Sequence, residues 1–397
     1  MSSTTDCIDQ KDSHQLLINQ HNCKISISSL SLSSFRNYGS VRIETSAQPV
    51  VITGANGAGK TNILEAISLL SVGRGLRRAK LAEISNVAAG ENWAISSNVN
   101  GRHGHVKIGT GISNEGIEDS DKRLVKIDGK TTRWQSELSK HISLIWLTPQ
   151  MEQLFIEGAS AGRKFLDRLV FSFDPEHAAR VNEYDYHMRE RNKLLQYGRA
   201  DASWLDTLEQ KMAACAAAIA TARLSTCEHI NHTIAASPLT FPKGWLNATG
   251  FVEDLLKSGS SAVGAENSLK IALESARNYD AASGRTTNGT HRSELRVTHI
   301  EKSMPAESCS TGEQKALILS IILAQARSGA IWHGIIPIIL LDEVVSHLDA
   351  TRRLELFEEI CDIGAQTWMT GTDIDLFAGL KEKAQFFKVE NGKVFKA

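Results

Sequence analysis

Gly54-Ala55-Asn56-Gly57-Ala58-Gly59-Lys60-Thr61 is the stretch that decides the fold. It matches G-x-x-x-x-G-K-[ST] in full, a glycine-rich turn that wraps phosphate oxygens. The glycines let the backbone curl so that its N–H groups converge on an anion. The helix that follows adds the positive end of its dipole. In that chemistry Lys60 reaches the β- and γ-phosphates of a nucleotide, and the Thr61 hydroxyl meets Mg²⁺. The flanks supply the context that the motif needs. Val50-Val51-Ile52-Thr53 is a short apolar strand just before it, and Ile63, Ile67 and Leu70 recur at helical spacing just after it. These eight residues therefore read as an ATP site on an α/β sheet.

A second constellation completes such a site. Ile338-Ile339-Leu340-Leu341 is an apolar strand that ends in Asp342-Glu343. This is the Walker B pattern. Asp342 holds Mg²⁺ directly or through water, and Glu343 polarises the attacking water as general base. An acidic helix cap after a core strand is the plainer reading of the same pair. The second carboxylate favours hydrolysis over transfer to another substrate. Ser310-Thr311-Gly312-Glu313-Gln314-Lys315 opens a helix shortly before this strand and resembles the signature of ABC ATPases. That signature acts in trans: one protomer's Ser310 and Gly312 clasp the nucleotide held by the other's Gly54–Thr61 turn. The same residues also make an ordinary N-cap. Ser346-His347-Leu348-Asp349 stands where ABC proteins carry the D-loop. Thr370-Gly371-Thr372-Asp373 stands where many carry a switch histidine, and no histidine is present. Thr370, Thr372 or Asp373 is left as γ-phosphate sensor, with slow hydrolysis as a consequence. Gln150 reads either as a Q-loop residue or as an exposed loop glutamine.

Along the chain, residues 24–48 alternate as antiparallel strands with a turn at Asn37–Gly39, and residues 90–132 read as further short strands with a hairpin at Asp128-Gly129. Residues 176–198 and 203–235 are two long helical patterns separated at Gly198, an antiparallel helical hairpin. Gly312–Ala326 is helical, Ile335–Leu341 is one buried strand, another strand ends near Thr370, and Asn391-Gly392 turns a closing hairpin. The expected layout is a leader without order at 1–22 and an ATPase head in two pieces, 23–160 and 291–397. A largely helical arm occupies 161–290.

Composition narrows the class. The chain has 397 residues, 42% hydrophobic and 22% charged, as in ordinary globular proteins. Its six cysteines show no metal spacing and read as reduced thiols of a cytoplasmic protein. No apolar stretch of membrane-span length stands out, and Met1–His21 lacks the basic and apolar regions of a signal peptide. With a net charge of −1, any nucleic-acid contact has to come from a local patch. Arg74, Arg77, Arg78 and Lys80 form one candidate. Arg189, Arg191, Lys193 and Arg199 form another, either of them a phosphate-binding patch or a solvated face.

Taken in this order, the motifs resemble the RecF family within the wider SMC-like ABC group. Phe35-Arg36-Asn37-Tyr38 is similar to the family's N-terminal signature. Gly162-Arg163-Lys164-Phe165-Leu166-Asp167-Arg168 is similar to its R-R-x-x-L-D segment, and Thr290-His291-Arg292-Ser293-Glu294-Leu295 to its G-P-H-R-x-x-L segment. Thr290 replaces the usual proline, and Asn288-Gly289 stands where a serine-glycine is common, which touches local turn geometry. The resemblance covers about residues 25–395. The long separation of Thr61 from Ser310 is unlike a transporter subunit. The insertion is also too short for an SMC coiled coil, since about 30 residues per helix span some 45 Å. The resemblance implies an ABC-type P-loop ATPase head split by a helical arm, with a weak, DNA-dependent ATP hydrolase activity. It implies a homodimer formed on ATP that binds duplex DNA beside single-stranded gaps, and action with RecR and RecO in support of RecA loading and the SOS response. The alternatives are another SMC-like ABC ATPase without a role in gap repair, an ABC ATPase serving membrane traffic, and a nucleotide-dependent binding module without turnover.

Overall fold

The computed structural model describes residues 22–86, 92–112, 123–196 and 201–397. All but the last residue of the expected leader, Cys7 included, lies outside them, as do Gly198 and Arg199. The chain divides into two compact units. One is built from the described residues of Met1–Met151 with Ser237–Phe241 and Ile318–Ala397, the other from Glu152–Ala236 and Pro242–Leu317. The second unit contains the arm expected at 161–290 except Ser237–Phe241, begins earlier at Glu152 and continues to Leu317, so Ser310 and Gly312 belong to it. One cause of the longer span is close helix–strand packing: a Cβ on Gly162 would meet the Leu295 Cβ at 3.4 Å.

The first unit carries two six-stranded sheets. The first runs in the order Lys393–Lys396, Gln385–Glu390, Val50–Thr53, Thr367–Gly371, Ile338–Leu341 and Leu144–Leu147. Only Lys393–Lys396 is antiparallel to its neighbour. Every residue of Val50–Thr53, Ile338–Leu341 and Thr367–Gly371 is buried, which is why these strands read as continuous apolar runs. The expected strand Ile335–Leu341 is in fact two, Ile335–Ile336 and Ile338–Leu341. Pro337 between them has no N–H to give to a ladder. The shorter piece pairs in parallel with Cys23–Lys24.

The second sheet is antiparallel, in the order Tyr38–Glu44, Ser26–Phe35, Ala94–Gly101, Gly104–Ile112, Arg123–Ile127 and Lys130–Thr132. Asp128-Gly129 and Asn391-Gly392 turn hairpins with positive φ at both residues (48° and 79°, 48° and 71°), as their sequences predict. The first hairpin turns at Arg36-Asn37, slightly earlier than expected, because Phe35 and Tyr38 face each other and are both fully buried. The inner face of this sheet and the helix Lys60–Ser68 share one core: Ile27, Leu30, Leu32, Ile95 and Ile108 pack with Ile63, Leu64 and Ile67. Each such side chain contributes about 1.5–3 kcal/mol by leaving water.

The second unit is mainly helical. His177–Gln196 and Ala202–Ala236 form the expected hairpin, and the buried face of the longer helix is lined by Met212, Ala213, Ala216, Ile219 and Ala220. Small alanines there let the neighbouring helices approach closely. A three-stranded antiparallel sheet, Gly244–Thr249, Glu294–His299 and Met304–Pro305, completes the unit. The helix Thr311–His333 overturns one expectation. By length and composition it is apolar enough to cross a membrane. However, 72% of its most apolar window is buried inside the molecule, as in a core helix.

Candidate functional site

The phosphate-binding turn is open at its tip and clamped at its base. Ala55, Asn56 and Gly57 are exposed, whereas Gly54 and Lys60 are buried. Gly54 and Gly59 have φ of 147° and 112°, a region that favours glycine. Space agrees with conformation. A Cβ on Gly54 would lie 2.5 Å from the Val389 carbonyl oxygen, and one on Gly59 would collide with the Asn37 side chain.

The residues around that second collision explain the Phe35-Arg36-Asn37-Tyr38 segment. Tyr38 Oη donates to Gly59 O at 2.9 Å, and Asn37 Nδ2 donates to Ala58 O at 2.8 Å. Asn62 Nδ2 closes the set by donating to Asn37 Oδ1 at 2.7 Å. Burial pushes the Tyr38 phenol pKa up, so it stays a donor. Arg36 grips the buried Glu65 carboxylate with two bonds of 2.9 and 2.6 Å, and Arg77 adds a third contact at 3.2 Å. The segment therefore braces the turn and the first turns of its helix. At the other end of that helix the Arg123 guanidinium donates to the carbonyls of Leu69, Ser71 and Gly73. Burial pulls its pKa down to about 10. Sequence reasoning missed Arg123, which looks like any charged residue of a strand.

Lys60 Nζ donates to the turn's own carbonyls, Gly54 O at 2.8 Å and Ala55 O at 3.0 Å. Burial lowers its pKa, and the nearby Glu343 and Asp342 carboxylates act against that. Thr61 Oγ1 donates to Asp342 Oδ1 at 2.9 Å, so the glycine turn and the Asp-Glu strand meet although the strand Thr367–Gly371 runs between them. Thr370 of that intervening strand donates to the same oxygen at 2.8 Å and accepts the Glu343 N–H at 2.9 Å. Burial raises the Asp342 carboxyl pKa, and the Thr370 and Thr61 hydroxyls oppose the rise. Glu343 sits at φ 55°, ψ 15°, a rare conformation for a residue with a side chain. Glycine backbone amides, an ammonium, a hydroxyl and two carboxylates thus converge, which suits a polyphosphate with a hard divalent cation.

The remaining candidates fall as follows. Ser310, Thr311 and Gly312 are exposed at the start of Thr311–His333. Ser310 and Glu313 form a capping box: Glu313 N–H donates to Ser310 Oγ at 3.4 Å and Ser310 N–H donates to Glu313 Oε2 at 3.1 Å, with Ser310 Oγ also donating to Glu313 Oε2 at 2.9 Å. Lys302 pairs with Glu313 and, with Ser310, holds its carboxyl down to about 2. Gln150 is exposed in the 3₁₀ turn Pro149–Gln153, just after the strand Leu144–Leu147. Asp349 caps the helix Ala350–Ile363 through Arg352 N–H. Thr372 and Asp373 are exposed, and Asp373 caps its own turn at Asp375 N–H.

The cation clusters need correction. Arg74, Arg77, Arg78 and Lys80 are exposed, but Arg77 is engaged with Asn62 and Glu65. Arg191 is fully buried, bound to Glu209, Asp280, Thr286 and the Leu273 carbonyl, and is no surface contact at all. The Arg163–Arg168 segment is likewise structural in part. Asp167 receives two bonds from Arg223, at 2.8 and 2.9 Å, and contacts His177 at 2.9 Å, while Arg163 donates to Ser293 O at 2.7 Å.

Comparison with known proteins agrees with these motifs. The family described as RecF/RecN/SMC N terminal domain matches residues 26–394. A "DNA replication and repair protein RecF" of Allorhizobium ampelinum is 45% identical over 93% of this chain and 98% of its own. One from Rhizobium meliloti is 43% identical over 94% and 99%. Among solved structures, the recombination mediator protein RecF with ATP in the RecFOR pathway has a TM-score of 0.81 at 23% identity, covering 94% of this chain and 99% of that one. An Smc head domain from Pyrococcus furiosus has a TM-score of 0.53 at 15% identity, covering 94% and 96%. These likenesses establish the ATPase-head fold expected from the sequence. The chain belongs to the RecF/RecN/SMC family and, within it, to the RecF proteins of DNA replication and repair.

Proposed function

We propose that this protein is a DNA-repair ATPase that binds ATP with Mg²⁺ in the Gly54–Thr61 turn and hydrolyses it slowly. The observation that carries the reading is the convergence of Lys60, Thr61, Asp342 and Glu343 on one open glycine turn. Backbone N–H groups from Gly54 to Thr61 bind the phosphates, and Lys60 exchanges its bonds to Gly54 O and Ala55 O for phosphate oxygens. Thr61 and Asp342 are the residues that would hold the metal, and their hydroxyl and carboxylate are the oxygen donors Mg²⁺ prefers. Mg²⁺ supplies charge neutralisation on the phosphate oxygens. Glu343 takes the proton from the attacking water. Ser310 and Gly312, exposed at a helix start, are offered to the nucleotide of a second copy, so ATP closes a homodimer and hydrolysis opens it.

The relatives' names, with the RecFOR pathway named for the structural neighbour, support DNA as the ligand and RecR and RecO as partners, and duplex DNA beside single-strand gaps is the form of DNA in this reading. Support for RecA loading and the SOS response follows from that assignment, and the cytoplasm is its compartment. Arg74, Arg78 and Lys80 are the exposed cations on offer to DNA phosphates, with binding that weakens as salt rises. The test is Glu343→Gln. Loss of the general base is expected to lower hydrolysis about 100-fold or more while ATP binding is kept. Unchanged turnover would remove Glu343 from the mechanism.

A further inference from the structure

Thr370 is fully buried at the end of the strand Thr367–Gly371. A hydroxyl has one proton to donate and two lone pairs. The proton of Thr370 goes to Asp342 Oδ1 at 2.8 Å, and the oxygen accepts the Glu343 N–H at 2.9 Å. What remains is acceptor capacity, which cannot serve a phosphate oxygen. The next residue offers no substitute: a Cβ on Gly371 would lie 2.6 Å from the Phe377 ring, so no side chain can be aimed from that position.

We infer that Thr370 is not a γ-phosphate sensor but a positioning residue that locks the metal-holding Asp342 carboxylate and the Glu343 backbone into one rigid unit. Glu343 needs such a lock because its left-handed backbone conformation persists only where the surroundings hold it. Its peptide is held from both sides, by Thr370 at the N–H and by Ser346 Oγ, which donates to Glu343 O at 2.7 Å. The intervening strand thereby ties the aim of the base to the orientation of the metal ligand, and both stay fixed before nucleotide arrives. The inference rests on the roles proposed above for Asp342 and Glu343.

The experiment compares Thr370→Val, which keeps the shape and loses both bonds, with Thr370→Ser, which keeps the hydroxyl. The readouts are kcat and KM for ATP, Mg²⁺ titration of fluorescent-nucleotide binding, and thermal unfolding. Loss of two hydrogen bonds at preorganised groups is expected to lower kcat about tenfold or more in the valine variant. The KM for ATP stays near wild type, and the Mg²⁺ requirement moves to higher concentration. Serine restores kcat. Wild-type kcat in the valine variant, a raised KM with kcat spared, or a serine variant as slow as valine would each overturn the inference. If the valine variant does not fold, Thr370→Ala, which introduces no new methyl at the hydroxyl position, carries the same expectations. Glu343→Gln run alongside separates the two levels: full turnover there would sink the roles themselves, whereas slow turnover there with a normal valine variant would sink the positioning role alone.

Discussion

Gly54 is held in the candidate site by both conformation and space. Its φ of 147° and the Val389 carbonyl oxygen 2.5 Å from any added Cβ act together. Alanine would have to strain its own backbone and push the strand Gln385–Glu390 away from Val50–Thr53. Strain of this kind and the forced shift together are expected to cost about 2–4 kcal/mol. Urea unfolding of Gly54→Ala measures that loss, and a fluorescent ATP analogue is expected to bind it far more weakly. Wild-type stability and affinity would mean that the turn is softer than its packing suggests. The sequence makes this residue legible because the whole requirement lies in eight consecutive positions. It marks Thr370, Asn37 and Tyr38 only as members of motifs and passes over Arg123, because their partners sit 28, 21, 21 and 54 positions away. A hydroxyl or guanidinium in a strand carries no mark of the loop it will meet.

Elements divide along the same line. Hairpins at Asp128-Gly129 and Asn391-Gly392, the buried parallel strands and the long helical pair are legible because turn chemistry and periodicity are local properties. The break at Pro337 was also visible in principle, since proline cannot donate to a ladder. Arg191 was not. The helix His177–Gln196 is polar on most of its surface, and a charged residue in it suggests solvent. Instead Arg191 lies at the centre of a buried network in which Glu209 also binds Arg277 and Asp280 also binds Thr287. Removing one partner from buried charges leaves the others without compensation. Arg191→Ala is expected to destabilise the arm by about 3–5 kcal/mol. Differential denaturation of the two units, followed through the arm's Trp204 and Trp245, checks it. A loss under about 1 kcal/mol, the range of an exposed pair, would mean that water reaches the network.

At the scale of the whole molecule, a net charge of −1 rules out a generally basic surface, so DNA affinity has to be assembled from local cations. The homodimer proposed above would double Arg74, Arg78 and Lys80, which would make dimerisation the lever on affinity. The surface that closes the dimer is proposed to be the start of Thr311–His333. Ser310, Thr311 and Gly312 are exposed, and a Cβ on Gly312 would meet nothing within 4 Å. That leaves an uncovered positive helix end, while Lys302 neutralises the Glu313 carboxylate that would otherwise repel a phosphate. A bulky cation placed there cannot share the space with a partner's glycine turn. Ser310→Arg is therefore expected to bind ATP as the wild type does but to remain monomeric in sedimentation with ATP and Mg²⁺. In the Glu343→Gln background, where ATP persists, the unaltered signature is expected to give a stable dimer with higher affinity for gapped duplex DNA. A dimer in the arginine variant, or DNA affinity that does not rise with dimer content, would show that the clasp lies elsewhere.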